Sequence, residues 1–183
     1  MKTGRPEGLS PQDPRVIKQL HALVDQIYPG SSGTAVESKI AMELINTALK
    51  ALHSGLPPYE MRILSRAIRE LRFAFKLFQD YKGISKASIF GSARTGKTHP
   101  EYLQAKKLAQ ELVKREFMVI TGAGPGIMEA GNEGAGRDKS FGINIKLPFE
   151  QEPNPVVNGS PRNIDCHFFF TRKLLFIKET LFE

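Results

Sequence analysis

The sequence predicts an α/β protein with a Rossmann-like, doubly wound parallel sheet, preceded by a small helical module. Apolar runs at 87–90 and 117–121 each end in a glycine-bearing loop that leads into a helical pattern. Both loops then lie at the carboxyl edge of the sheet, where open parallel sheets bind ligands. Three amphipathic segments with short links precede Gly83 and predict the helical module. We therefore place this module at residues 1–82 and the Rossmann-like domain at 83–183.

The composition favours an anionic ligand and gives no sign of a membrane segment. The chain has 26 Lys and Arg against 19 Asp and Glu, a net charge of +7, which suits a nucleotide or nucleic acid but also an inert basic surface. No apolar run approaches the about 20 residues of a membrane helix, and no signal-peptide core follows Met1. The single cysteine, Cys166, excludes an internal disulfide and fits a reducing cytoplasm. We expect a cytoplasmic protein.

The helical module is predicted to contain three helices. Asp13 can cap the first helix, with Pro14 in its first turn; the second runs from about 34 to 53 and the third from about 59 to 80. Helical spacing predicts three apolar faces that point inward. They are Val16, Ile17, Leu20, Leu23, Val24 and Ile27; Ile40, Leu44, Ile45, Ala48, Leu49 and Leu52; and Met61, Leu64, Ile68, Leu71, Phe75 and Phe78.

The third helix also carries a basic stripe. Arg62, Arg66, Arg69, Arg72 and Lys76 recur at steps of three and four residues, so they share one helix face. The stripe is either an ordinary solvated face or a site for an anionic effector or an acidic partner. Because almost no aromatic residue interleaves with it, the pattern does not favour nucleic acid.

The remaining elements belong to the Rossmann-like domain. They are a helix opened by His99-Pro100, a helix from 127 to about 134, a third strand at 141–147, a proline-rich loop at 148–163, a short strand at 166–169 and a helix from Phe170 onward. The last helix has no stop signal before Glu183, and a doubly wound sheet usually has five or more strands. We therefore expect the sequence to be a fragment.

The first glycine loop matches the P-loop pattern. Gly91–Thr98 reads GxxxxGK followed by Thr, between a strand and a helix. In that interpretation Lys97 would contact the β- and γ-phosphates of ATP or GTP and Thr98 would contact Mg²⁺. Against it, the preceding strand is short, Pro100 indicates that the helix starts near His99, and neither of the next two strands ends in an acidic residue.

The second glycine loop is a near-match to the dinucleotide fingerprint. Gly122, Gly124 and Gly126 fit it, but Ile127 stands where the next glycine is expected, and no acidic residue ends the third strand. Glycines at a strand end still allow a close approach of backbone to ligand, and the following helix N-terminus favours an anion. The other interpretation is that these glycines serve only a tight turn and close packing.

Three motifs together resemble the LONELY GUY family of nucleoside 5′-monophosphate phosphoribohydrolases, often labelled lysine decarboxylase-like. They are Ser88–Arg94, Thr121–Ala135 and Phe168–Lys173, in the family's order, and the resemblance covers about residues 84–183. The helical module resembles extensions of longer family members. The resemblance implies a homodimer or larger homo-oligomer without a cofactor. We expect no metal site, because the histidines and Cys166 lack metal-ligand spacing.

The resemblance implies hydrolysis of the N-glycosidic bond of AMP or of a cytokinin riboside monophosphate to free base and ribose 5-phosphate. It assigns Arg172 as catalytic and Glu129 as a ribose contact or a supporting residue. The residues it assigns to nucleotide or phosphate binding are Gly91, Ser92, Ala93, Gly122, Gly124, Gly126, Met128 and Lys173. The family's PGGxGT motif and catalytic glutamate would follow Glu183, so the fragment alone is expected to be inactive. The alternatives are a P-loop protein and a nucleotide sensor without catalysis.

Two further side chains near these motifs have simpler interpretations. Cys166 and His167 adjoin in sequence, which does not make a catalytic pair, and Cys166 alternates like a buried strand residue. His99 is predicted to cap the helix that follows it.

Overall fold

The computed structural model describes residues 8–29, 36–147 and 152–181. These residues form six α-helices and four β-strands. The helices are α1 (Pro14–Ile27), α2 (Val36–His53), α3 (Pro58–Gln79), α4 (Pro100–Lys114), α5 (Ile127–Ala135) and α6 (Phe169–Leu181). The strands are β1 (Lys86–Ser88), β2 (Met118–Thr121), β3 (Ser140–Ile145) and β4 (Asn163–Cys166). None of the described helices combines the length and apolar character needed to cross a bilayer.

The chain divides into two compact units, residues 1–65 and 66–183, and the division falls inside α3. The sequence analysis placed its boundary at 82/83, where the composition changes. The earlier division reflects packing, because Ala74 and Phe78 of α3 belong to the same hydrophobic cluster as strands β2 to β4.

In the first unit, α1 and α2 pack on each other along a narrow line. Asp13 caps α1 as predicted, since its Oδ1 accepts a hydrogen bond from the Arg15 amide at 2.8 Å. Leu20 and Val24 are buried. Other positions predicted to face inward are exposed instead, namely Leu23, Ile27, Ile40, Leu44 and Leu52. Two packed helices shield only a narrow strip of each other, whereas the apolar spacing spans a wider face.

The buried line of α3 differs from the predicted one. Leu64, Ile68 and Phe75 were expected to face inward but are exposed. The buried positions of this helix are Ala67, Glu70, Ala74 and Phe78. The alanines offer a flat surface for close packing, and Glu70 is buried with hydrogen-bond partners, a possibility that hydrophobic spacing alone does not reveal.

The four strands form one parallel sheet in the order β1-β2-β3-β4. Strands β2 and β3 are buried along their whole length, as expected for central strands covered on both faces. The fourth strand spans Asn163–Cys166 rather than the predicted 166–169. It pairs with β3 so that Ile164 and Cys166 enter the core, and α6 already begins at Phe169.

Helices cover both faces of the sheet, which confirms the predicted doubly wound α/β class. On one face, α3 and α6 contribute Phe78 and Leu175 to a cluster with strands β2 to β4. On the other face, α4 and α5 contribute Ala109 and Ile127 to a cluster with Val119 of β2. All four strands run in the same direction, so the loops that follow them meet at one edge of the sheet.

Candidate functional site

The two glycine loops touch each other at the carboxyl edge. The Ile127 amide, at the start of α5, donates a hydrogen bond to the Ser92 carbonyl at 3.0 Å. Gly126 has φ +69°, and a Cβ there would overlap the Ser92 carbonyl and lie 2.9 Å from Ala93 Cα. A Cβ on Gly91 would lie 2.5 Å from the Ile127 side chain. The absence of side chains at both glycines therefore lets the loops approach closely.

Arg172 reaches the second loop from α6. Its Nε donates to the Ile143 carbonyl at 2.7 Å, and its Nη2 donates to the Gly122 carbonyl at 3.0 Å. A Cβ on Gly122 would overlap Nη2, so the glycine leaves room for the guanidinium. The structure thus brings together Arg172 and both glycine loops, although their motifs are far apart in sequence.

The charge of Arg172 is partly buried and has no carboxylate partner among the described residues. Both of its side-chain hydrogen bonds go to neutral carbonyls, and its Cζ lies 5.6 Å from the centre of the Phe176 ring. Burial lowers the pKa of the guanidinium, but arginine stays protonated at neutral pH. An uncompensated cation in this position favours an anionic ligand.

Met128 lies against the second glycine loop, and Lys173 lines a hollow together with Arg172. A Cβ on Gly124 would lie 2.6 Å from Met128 Cε, and one on Gly122 would lie 2.8 Å from its Sδ, so the thioether packs under the second loop. Lys173 is exposed and lines a mainly apolar hollow of about 430 Å³, which Arg172 and Phe90 also line. It adds a mobile positive charge at the rim.

Two buried asparagines hold the second loop. Asn154 Nδ2 donates to the Gly124 carbonyl at 3.1 Å and to Asn132 Oδ1 at 2.9 Å. Asn132 Oδ1 also accepts from the Thr121 hydroxyl at 2.7 Å, and the Asn154 amide donates to the Ala123 carbonyl at 2.7 Å. Because these bonds are buried, they fix the loop conformation.

The sequence analysis missed both asparagines. For Asn132, the available signal was a polar residue on the face of α5 that otherwise packs against the sheet. Asn154 gave no such signal, because it lies in the loop predicted at 148–163. Residues 148–151 of that loop lie outside the described part of the chain.

Lys97 forms ion pairs with two carboxylates of α5, whereas the lysine of a P-loop reaches the phosphates of the nucleotide. The Lys97 Nζ lies 2.7 Å from Glu129 Oε1 and 3.0 Å from Glu133 Oε1. The hydrogen bonds to Glu129 and then to Glu133 raise the pKa of Lys97. In addition, α4 begins at Pro100, three residues after Lys97, whereas the P-loop pattern places the lysine in the first helical turn. Both observations count against ATP or GTP binding through Gly91–Thr98.

Glu129 takes part in this ion pair from a buried position in the first turn of α5. Its carboxylate therefore ties the first glycine loop to α5. The role predicted for Glu129, as a ribose contact or a supporting residue, stays a prediction.

His99 and Cys166 have the structural roles predicted from the sequence. His99 caps α4, since its Nδ1 accepts a hydrogen bond from the Glu101 amide at 3.3 Å. Cys166 is fully buried in the core. Burial, with a smaller contribution from the charge of Glu70, raises the pKa of the thiol to about 11, which leaves it un-ionised at neutral pH.

The structure is that of a Rossmann-like α/β protein in which Arg172 and the two glycine loops meet at the carboxyl edge of the sheet. Residues 85–158 match the sequence model of the SLOG cluster4 family. The SLOG superfamily includes proteins of the LONELY GUY type, and the match is compatible with a nucleotide-related function. It contains both glycine loops and Asn154 but ends before Arg172. No curated protein sequence matches the chain.

Proposed function

We propose that the protein hydrolyses the N-glycosidic bond of nucleoside 5′-monophosphates, AMP or a cytokinin riboside monophosphate, to free base and ribose 5-phosphate. The observation that carries the proposal is the guanidinium of Arg172, which is partly buried, has no carboxylate partner within residues 8–29, 36–147 and 152–181, and is held against a glycine loop. This combination suits a ligand that is both anionic and close to backbone.

In the proposed reaction, the glycine loops admit the nucleotide and the N-terminus of α5 favours its negative charge. Arg172 donates hydrogen bonds to the phosphate or to the departing base, as a planar donor fork can. Lys173 adds charge at the rim. Glycoside hydrolysis also uses a carboxylate at the oxocarbenium-like centre. Glu129 is proposed as a supporting residue, because its carboxylate is paired with Lys97.

The test is AMP turnover by the protein expressed from its full reading frame, with adenine and ribose 5-phosphate quantified separately. We expect Arg172→Ala to lose about 2–4 kcal/mol of transition-state stabilisation, about 10²–10³-fold in kcat/KM. Lys178→Ala is the matched control. It removes a cation of the same helix that also lies over a phenylalanine ring, 5.3 Å from the centre of Phe75. Wild-type turnover in Arg172→Ala would contradict the role given to this residue.

Binding measurements on the same protein distinguish the two other candidate functions. A nucleotide sensor would bind AMP without releasing adenine. A P-loop protein would bind ATP in a Mg²⁺-dependent manner that Lys97→Ala abolishes, whereas the pairing of Lys97 with Glu129 and Glu133 favours the opposite outcome.

A further inference from the structure

Glu70 places a buried carboxylate of α3 against the start of α6. The residue is 8% exposed. Its Oε1 accepts a hydrogen bond from the His167 amide at 3.0 Å and lies 2.9 Å from His167 Nδ1, and its Oε2 accepts from the Thr171 hydroxyl at 2.8 Å. A buried carboxylate is costly without such partners, and hydrogen bonds to a charged acceptor are stronger than those between neutral groups.

His167 lies two residues before α6 begins at Phe169, and the Thr171 hydroxyl belongs to its first turn. The positive end of the α6 dipole also favours a negative charge at this position. Glu70 therefore ties the start of α6 to α3, through contacts with residues 97 and 101 positions away in sequence.

The turn held by Glu70 is the one that carries Arg172. The Thr171 hydroxyl, whose single proton is directed to Glu70, also lies 2.9 Å from the Phe168 carbonyl, and the Arg172 amide donates to that carbonyl at 3.2 Å. Thr171 thus contacts Glu70, whereas the guanidinium of Arg172 donates hydrogen bonds to the Ile143 and Gly122 carbonyls. A rotation of this turn about the helix axis would displace both side chains together.

We propose that Glu70 is a positioning residue for Arg172: it fixes the first turn of α6 in the orientation that holds the guanidinium against the second glycine loop. The importance of Arg172 for nucleotide binding rests on the proposed function, but the positioning itself does not. Glu70 lies outside the residues 85–158 that match the SLOG cluster4 family, so the inference comes from the contacts alone.

A second buried carboxylate, which lies on α6 itself, provides the matched control. Glu179 is 5% exposed, lies 3.5 Å from Lys86 Nζ and 2.5 Å from Lys178 Nζ, and stands two turns further along the helix. It stabilises α6 without contacting the turn of Arg172. A general loss of helix stability should therefore appear in Glu179→Gln as well, whereas a loss of positioning should not.

The direct test is hydrogen exchange at the Arg172 Nε–H, followed by NMR without ligand. In Glu70→Gln one acceptor oxygen becomes a donor, so the side chain cannot accept from both His167 and Thr171. Thr171→Val removes one hydrogen bond and keeps the shape. We expect exchange at least about tenfold faster in both variants, the size of effect that losing a hydrogen bond to a charged group produces, and unchanged exchange in Glu179→Gln.

AMP affinity, measured by calorimetry, is the second readout, and the same variants should bind about tenfold more weakly while remaining folded. Failure of the wild type to bind AMP would overturn the proposed function and leave the exchange result to decide on Glu70. The positioning role is overturned if the Arg172 Nε–H exchanges as slowly in Glu70→Gln and Thr171→Val as in the wild type. It is equally overturned if Glu179→Gln accelerates exchange to the same extent.

Discussion

At the scale of single residues, the candidate site depends on a glycine that makes room for a charged side chain. A methyl group on Gly122 would overlap the Arg172 guanidinium and crowd the Met128 sulfur, both of which are ends of flexible side chains. The fold can therefore accommodate the change, but only by moving Arg172 away from the loop.

We expect Gly122→Ala to cost about 1–3 kcal/mol of stability, as overpacking does, and to weaken AMP binding about tenfold or more because a charged hydrogen-bonding group is displaced. Gly96→Ala is the control, since nothing lies within 4 Å of the added methyl group. Chemical denaturation and calorimetry measure the two quantities. Unchanged AMP affinity in Gly122→Ala would show that the position of Arg172 does not matter for binding.

At the scale of elements, ion pairs that converge on Glu133 join α5 to α4 and to the first glycine loop. Lys97 and Lys106 each lie 3.0 Å from one of its carboxylate oxygens. Burial acts to raise the pKa of Glu133, but the hydrogen bonds from the two lysines outweigh it and leave the pKa below its ordinary 4.5.

The sign of the pH dependence follows from this lowered pKa. At a pH between the pKa of Glu133 in the folded protein and its pKa of 4.5 in the unfolded chain, the unfolded chain binds more protons. The stability that Glu133 contributes is therefore complete above pH 4.5 and is lost as the pH falls through the folded-state pKa. We expect the double variant Lys97→Met/Lys106→Met to lose part of this acid-side dependence in thermal unfolding from neutral to acidic pH. Lys107→Met, on the exposed side of α4, should behave as the wild type. An unchanged dependence of stability on pH in the double variant would contradict the stabilisation of ionised Glu133 by the two lysines.

Local patterns predicted most elements of the Rossmann-like domain, because their causes are local. Pro100 and the cap at His99 set the start of α4. The apolar run at 117–121 predicted β2, and the alternating apolar residues from Phe141 predicted β3. The two asparagines, Glu70 and the first residue of β4 escaped prediction, because each is set by partners distant in sequence. Family resemblance assigned Arg172 and Gly122 to one nucleotide pocket, whereas nothing in the sequence alone predicts the hydrogen bond between them.

At the scale of the whole molecule, the single cysteine reports on the opening of the second unit. Cys166 is fully buried, and burial raises the pKa of its thiol to about 11. Access and ionisation both limit its reaction with a thiol reagent.

We therefore expect labelling of Cys166 in the folded protein at mildly alkaline pH to be about 10³-fold slower or more than in denaturant, given a stability of about 5 kcal/mol or more. A colorimetric disulfide reagent measures the rate, and free cysteine under the same conditions gives the intrinsic reactivity. Complete labelling of the folded protein at the intrinsic rate would mean that β4 opens readily.

The strand order β1-β2-β3-β4 also bears on how the protein is made. Each strand pairs with the strand synthesised just before it, so the sheet can grow in step with translation, without waiting for a distant partner as in sheets with interleaved strands. The glycine loops then form early, when β1, β2 and the start of α5 have left the ribosome. Arg172 arrives only with α6. Along the described chain, nascent protein would therefore acquire its sheet before it acquires the centre that we propose binds the nucleotide.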